Sequence, residues 1–553
     1  MNTIKNILML AFVLIFTSGV SAQTQNPVIS AIQKEVDRNM AELRLDGMAP
    51  PFFVCYSVLD MNFYSLNASL GTIINEQDFN IRRGVPRLFV GDYMRNTAKV
   101  TAARTFPMAV TSLHDNATGV PITIWRGLDD MYKDAAERYK AYLATLSQRT
   151  QTPEEAELPD FQRMEPVNML LQPKNVNIDK PYWENYLRKA SEVAKQYPEI
   201  LSSSVSLLVR NVMTYTYNTE GSRYAFPNTF YQLRILVNVR ADDGQDINYT
   251  VWIENSTFEQ MPDLAAFTEI CKKTMENLVA FSKAPVIDIG YNGPVLFEGE
   301  GVSDIFRRAF FMNNRLVASP RMTQPNPTAQ QAQGQAGNDF ELSMGRRVMS
   351  RSITVKSITG QEFHNGQRLN GYYPIDSEGI VPDKELMLIE DGVLRNLLSG
   401  RRPTQRVQSS NGHTRFDFNS NQWQVMPGNI LINSRDTYSN DELRKQLIEA
   451  AKDEDLDYAY VVRRYFFGIN LFYRVYVEDG REELVRGAMI SDDTNLRPFN
   501  RILGASDKER ISSFSEMQSS IIYPDAMLFE EMQITRMPNI QFRRPYIVPK
   551  PTN

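Results

Sequence analysis

The chain has 553 residues, and 60 Lys+Arg against 65 Asp+Glu leave a formal net charge of −5. That balance provides no basic stripe for a phosphate backbone, which excludes nucleic acid as the main partner. Hydrophobic residues at 42% and charged residues at 23% exclude the disordered and membrane-embedded classes, and 29 Phe with 25 Tyr favour sheet.

Residues 1–22 read as a secretory signal. Lys5 precedes the apolar run Ile7 to Phe16, and Val20-Ser21-Ala22 fits a small-residue cleavage site. The run is too short to span a bilayer, and no later stretch qualifies, so an exported protein, periplasmic or secreted, without a membrane span is expected. Cys55 and Cys271 are the only cysteines. An even count permits a disulfide, but the apolar setting of each favours two separate buried thiols.

Ile29, Ile32, Val36, Met40 and Leu43 recur at helical spacing, and Phe52 to Leu59 reads as a strand. A second strand is expected around Arg87 to Tyr93 and a helix over Leu128 to Leu146. Gln148 to Pro173 is polar, acidic and proline-punctuated, and reads as a connecting loop. A helix near Tyr182 to Tyr197 follows. Leu233, Ile235, Val237 and Val239 then alternate with outward residues, Asp242-Asp243-Gly244 makes a hairpin turn, and Leu264 to Phe281 is an amphipathic helix.

Pro285 marks the expected boundary between an N-terminal domain (23–284) and a sheet-rich C-terminal domain (285–553). Strands are expected at Glu385 to Glu390, Tyr458 to Val462, Phe472 to Glu478 and Glu483 to Ile490, with one helix at Asp441 to Lys452. Gln324 to Asn338 is a low-complexity Pro/Gln/Ala/Gly surface loop. The fold class is α+β: an N-terminal α/β domain with an antiparallel sheet and flanking helices, followed by the sheet-rich domain.

Several phrases stand in a telling order: Asn218-Thr219-Glu220-Gly221, Pro294 to Gly301, Gly345 to Ser350, Tyr373 to Gly379, Leu388 to Leu394, Met426 to Asn429 and Val485 to Ala488. In this collinear series the chain resembles the TldD/PmbA family, metallopeptidase-related proteins also called modulators of DNA gyrase. The resemblance runs from about Val205 to Thr535. It implies a C-terminal domain of TldD/PmbA type and, in active members, a helix carrying His-Glu-x-x-x-His whose histidines bind zinc beside a general-base glutamate.

Laid on this sequence, the first histidine position is Phe297, the glutamate is Glu298 and the second histidine is Val302. Both imidazoles are missing, and no Cys follows Cys271 to match the family's further cysteine ligand. The zinc site therefore reads as lost, with no cofactor expected. Glu298, Glu300 and Asp304 form a carboxylate group, but acids opening a helix, with Arg307 and Arg308 in pairing range, explain them without a metal. The three histidines, His114, His364 and His413, sit in loop or turn contexts without a Gly-x-Ser-x-Gly elbow. A serine–histidine–acid triad stays open, because its members need not be sequence neighbours.

The resemblance implies an exported, non-catalytic subunit that binds unfolded peptide segments by strand addition. It would pair with a TldD-like subunit or with itself as a homodimer. The alternative is an active metal-dependent peptidase with relocated ligands, using Glu298 with His364 or His413.

Overall fold

Asn26 caps the first helix, α1 (Pro27–Glu42), by accepting from the amides of Val28 and Ile29, and Ile29, Ile32 and Val36 face inward as their spacing predicts. The structure, a computed structural model, describes residues 26–100, 109–111, 119–148, 150–320, 339–418, 420–466, 469–493, 495–514 and 518–538. The leader, His114 and the low-complexity segment 324–338 lie outside the described residues. Among the described residues, no helix is long and apolar enough to cross a membrane.

Strands β1 (Pro51–Ser69) and β2 (Thr72–Val90) form a hairpin twice the expected length. The outer part of β2 (Asn75 to Asp78) is polar and carries no strand signal, whereas in β1 the alternation continues through Tyr64, Leu66 and Ala68. Backbone pairing with β1 makes the strand there, and β5 (Ile200–Asn218) holds the other side of β1 from Cys55 to Ala68. β3 (Ala109–Thr111), β4 (Asn168–Leu170), β6 (Arg223–Arg240) and β7 (Asp246–Asn255) complete a seven-stranded sheet. The polar stretch 148–173 is thus more than a loop: it contains β4, parallel to β6, and a helical turn, Pro153–Glu157, closed by a Thr152–Glu155 capping box.

Helices cover one face of this sheet in two groups. Val54, Tyr56 and Val58 pack with α1 and α2 (Gly119–Ser147), whereas Tyr64, Leu66 and Ala68 pack with α3 (Lys180–Glu192) and α4 (Leu264–Lys283). The α3 helix stops at Glu192, and a 3-10 turn takes the chain to Gln196. The other face turns Leu59, Met61 and Val212 toward Phe416 of the C-terminal half. β1 is apolar on both sides because both faces are covered.

From Tyr291 onward the strands build other sheets. An eight-stranded one is centred on β8 (Tyr291–Glu298), which lies between β9 (Tyr458–Phe466), parallel to it, and β12 (Ala526–Arg536), antiparallel. A six-stranded one ends with β11 (Ser519–Pro524) and, outermost, β10 (Glu509–Phe514). The run expected as one strand over Glu483 to Ile490 divides at Gly487, whose φ of +73° turns the chain. Glu482–Val485 then pairs with Ile469–Tyr476, and Ala488–Ile490 with β12.

A buried ionic junction joins the two halves. Arg87 on β2 donates to Glu378 at 2.7 Å, and the other carboxylate oxygen of Glu378 accepts from the Arg401 amide and the Thr414 hydroxyl. The Arg401 guanidinium, 1% exposed, donates to Glu220 in the β5–β6 turn and to the Gln162 carbonyl. Tyr224 reaches the Ser377 carbonyl at 3.0 Å. Two of the family-like phrases, Asn218 to Gly221 and Tyr373 to Gly379, therefore meet at this junction.

Candidate functional site

Phe297 and Glu298 lie at the end of a strand, which corrects the expectation that Pro294 to Gly301 carries a helix. The Pro-Val-Leu-Phe run is β-forming and sits between two paired neighbours, so β8 extends to Glu298. Gly299, at φ +57°, breaks the strand, and helix α5 (Glu300–Phe306) begins one residue later. Successive strand residues point to opposite faces, so Phe297 and Glu298 diverge.

Phe297 is fully buried, edge-on to Phe529 at 5.2 Å between centroids, and Val302 on α5 is fully buried in the same cluster. Both positions are core. On the opposite face Glu298 is clamped by Arg444 (2.8 and 3.2 Å) and Arg463 (3.0 Å), both of which also bind Glu482. Burial pushes its carboxyl up, but the two guanidinium groups outweigh it and hold it below its ordinary value. A carboxylate so held is a poor proton acceptor.

The carboxylate group is dispersed. Glu298 takes Arg444 and Arg463, Glu300 pairs with Arg464 on β9, and Asp304 accepts from the Tyr465 amide at 2.9 Å with Arg464 3.6 Å and Arg307 3.8 Å away. The expected Glu300 pairing with Arg307 or Arg308 gives way to Arg464, because β9 runs beside α5; Arg308 goes to Asp493. Among the described residues no three His, Cys, Asp or Glu side chains are grouped to hold a metal.

His364 sits on a two-residue strand, bonded to Glu509 at 3.0 Å. His413 is buried in a relay, with Ser357 Oγ 2.9 Å from Nε2 and Asn411 Oδ1 2.8 Å from Nδ1. This answers the triad question. The serine–histidine–amide geometry is present, yet Ser357 and His413 are each 1% exposed and line none of the larger cavities. Burial drives the His413 pKa down to about 3, and nearby Arg415 pushes it the same way. The imidazole is a neutral, internally satisfied strut. Glu298, His364 and His413 each keep a different set of partners. Cys55 and Cys271 are free and buried, as their apolar settings indicate.

The open space lies on the other side of α5. A cavity of about 490 Å³ separates the halves, lined by Glu300 and Arg307 of the α5 segment, Arg464 of β9, Trp252 of β7, Phe514 of β10 and Arg210 of β5. Among the described residues β7 pairs with β6 alone and β10 with β11 alone, so two sheet edges flank the cavity. Arginine stacks on its aromatic walls: Arg210 over Phe418 at 4.6 Å and Arg307 over Phe514 at 3.7 Å. Sequence reading missed these arginines. The Arg463-Arg464 pair inside an otherwise apolar strand was the available signal, since a central strand carries charge only where something faces it.

Residues 327–536 match the model of the PmbA/TldA metallopeptidase C-terminal domain, a span that leaves Phe297, Glu298 and Val302 outside it. No curated protein sequence matches the chain. Among solved structures, a protein of Thermotoga maritima described as a candidate modulator of DNA gyrase is 14% identical with a TM-score of 0.57, covering 91% of this chain and 100% of its own. TldE from Thermococcus kodakarensis is 11% identical with a TM-score of 0.55, covering 91% and 99%. A further candidate gyrase modulator, from Bacteroides thetaiotaomicron, is 12% identical with a TM-score of 0.57, covering 92% and 98%. At such identities the likeness is one of fold.

Proposed function

Because the chain belongs to the TldD/PmbA family through its C-terminal domain, and is to that extent metallopeptidase-related, we propose that it is a non-catalytic member. In this reading it holds unfolded polypeptide segments, is exported by its leader, and pairs with a TldD-like subunit or a second copy. One observation carries the proposal: the two positions where the family's histidines stand are filled by packed core, while the intervening Glu298 is locked between two arginines. Restoring a zinc site would need imidazoles in place of buried apolar groups, and the strand geometry sends neighbouring side chains to opposite faces.

Two features support polypeptide as the ligand. Sheet edges on both sides of the cavity offer backbone donors and acceptors that any extended chain can match, regardless of sequence. Aromatic and guanidinium walls supply contact area without demanding one side-chain shape. The likeness to TldE is consistent with a partner subunit, by analogy of fold.

The test uses the purified full chain with an unstructured, fluorescently labelled peptide. Saturable binding is expected, with the peptide intact by mass spectrometry, no stoichiometric transition metal by elemental analysis, and unchanged behaviour of Glu298→Gln. Peptide cleavage that requires bound metal and disappears in Glu298→Gln would overturn the reading in favour of relocated ligands.

A further inference from the structure

The charges around the cavity are unevenly secured. Arg210 faces Glu254, which Gln232 also holds at 2.6 Å. Asp417 is occupied by the Ser420 amide and the Gln424 side chain. Arg307 and Arg464, 3% and 8% exposed, line the α5 side of the cavity, and two acids face them. Asp304 is fully buried behind them, with one carboxylate oxygen lacking any hydrogen-bond donor. Burial lifts its pKa to about 7 against the Tyr465 amide and Arg307, which makes it a weaker counter-charge than an ordinary carboxylate. Glu300 is the other acid, and its side chain is 49% exposed.

Of the two acids beside Arg464, Asp304, 3.6 Å from its Nε, is buried and fixed, whereas Glu300 is half-exposed and therefore exchangeable. Glu300 loses little by turning to water, because an exposed carboxylate is well solvated. The guanidinium cannot follow, since its stem is fixed in β9 and its Nε, buried beside the cavity, lacks a hydrogen-bond acceptor. A second carboxylate entering the cavity would recover the ion pair in the same low-dielectric setting and add a charge-assisted hydrogen bond.

We infer that the cavity is a carboxylate subsite: Arg464, with Arg307 and Arg210 alongside, receives an acidic side chain or the C-terminal carboxylate of a bound peptide in place of Glu300. The inference rests on the peptide-holding reading above and narrows its ligand to acidic or free-ended segments. Glu300 then acts as a resident plug that keeps Arg464 paired when the cavity is empty.

The experiment compares three labelled, unstructured peptides on the full chain by fluorescence anisotropy. One carries a central Glu and an amidated end, one a central Gln and a free C-terminus, and one a central Gln and an amidated end. At least one carboxylate-bearing peptide is expected to bind about tenfold more tightly than the neutral one, with an advantage that shrinks as salt is raised. Which of the two binds better identifies the source of the carboxylate. Glu300→Gln should widen the advantage several-fold by removing the competitor. Arg464→Met should erase it while the neutral peptide binds as before, and Arg464→Lys, a check against misfolding, should retain part of it. If all three peptides bind alike and Glu300→Gln changes nothing, the subsite is wrong and peptide holding stands. If none binds, both fall.

Discussion

Two sets of arginines lie between the halves of this molecule, and they differ in how their charge is met. At the junction, Arg87 and Arg401 are held by Glu378, which is buried, and Glu220, whose side chain is 6% exposed, and the backbone carbonyl of Gln162 and the ring of Phe161 complete the shell around Arg401. At the cavity, Arg464 is as deeply buried, but one of its two ion-pair partners, Glu300, is half in water, and the other, buried Asp304, lies 3.6 Å from its Nε, beyond a hydrogen bond. The first arrangement is closed and holds the two halves together. The second leaves room for something to arrive. Depth of burial is similar, so what separates a structural arginine from a receptive one is whether its counter-charge is fixed.

The sharpest way to break this comparison is to remove one arginine from each set. Arg401→Met leaves Glu220 and Glu378 facing each other with less compensation, and truncating one partner of a buried ion pair costs about 3–5 kcal/mol. Arg464→Met should cost about 1 kcal/mol, because Glu300 can turn to solvent and Asp304 can take a proton. Denaturant midpoints at constant m-value measure both. Equal losses would mean that the two sets are one structural network and that the distinction has no energetic content.

Much of the scaffold was legible in advance, and the exceptions have physical causes. The helices Pro27–Glu42, Leu264–Lys283 and Asn440–Asp453 follow their apolar periodicity to within about two residues, because each lays one stripe on a sheet. In the β1–β2 hairpin the outer half of β2 is polar and is held by backbone pairing, which leaves no mark in side-chain pattern. The alternation of Tyr64, Leu66 and Ala68 in β1, by contrast, was a legible signal that the strand continues. The segment around Phe297 was assigned to a helix through the family motif. Local chemistry would have given the strand, since β-branched and aromatic residues precede a glycine. The cavity was the least legible part. Its arginines come from positions 210, 307 and 464, and only the fold brings them together.

Two carboxylates of these arginine sets, Glu378 and Asp304, should also differ in the sign of their pH dependence. Burial pushes the Glu378 carboxyl up, but Arg87 and Arg401 outweigh it and hold it well below the usual carboxylate range. Its contribution is therefore present above an unfolded value of about 4.3 and is lost as the pH falls below that. Asp304 runs the other way. From about pH 4 to its folded value of about 7, the folded chain keeps a proton that the unfolded chain has released, so stability falls as pH rises through that window. Asp304→Asn should flatten this decline, by at most about 1.4 kcal/mol per pH unit for one whole proton, and leave the acid-side loss unchanged. Unfolding free energies across the window check it. A slope identical to that of the unmodified chain would show that Asp304 is ionised in the fold and that Arg307 and Arg464 are already compensated.

The smallest expected effect reports on the junction alone. Cys55 and Cys271 are both buried, and burial pushes each thiol up to about 12, so neither should react with a thiol reagent in the native chain. Their surroundings differ. Cys55 on β1 lies within electrostatic reach of Arg87 and Arg401, whereas Cys271 is packed under α3 in a separate cluster. Loosening the junction should therefore expose one thiol before the other. In Arg401→Met, labelling of Cys55 is expected to rise about tenfold or more above the unmodified chain, a factor that corresponds to about 1.4 kcal/mol of easier local opening, while Cys271 stays protected. Arg464→Met should change neither. If both thiols gain reactivity by the same factor in Arg401→Met, Cys55 is exposed only by unfolding of the whole chain, and the junction does not fasten one edge of the N-terminal sheet separately.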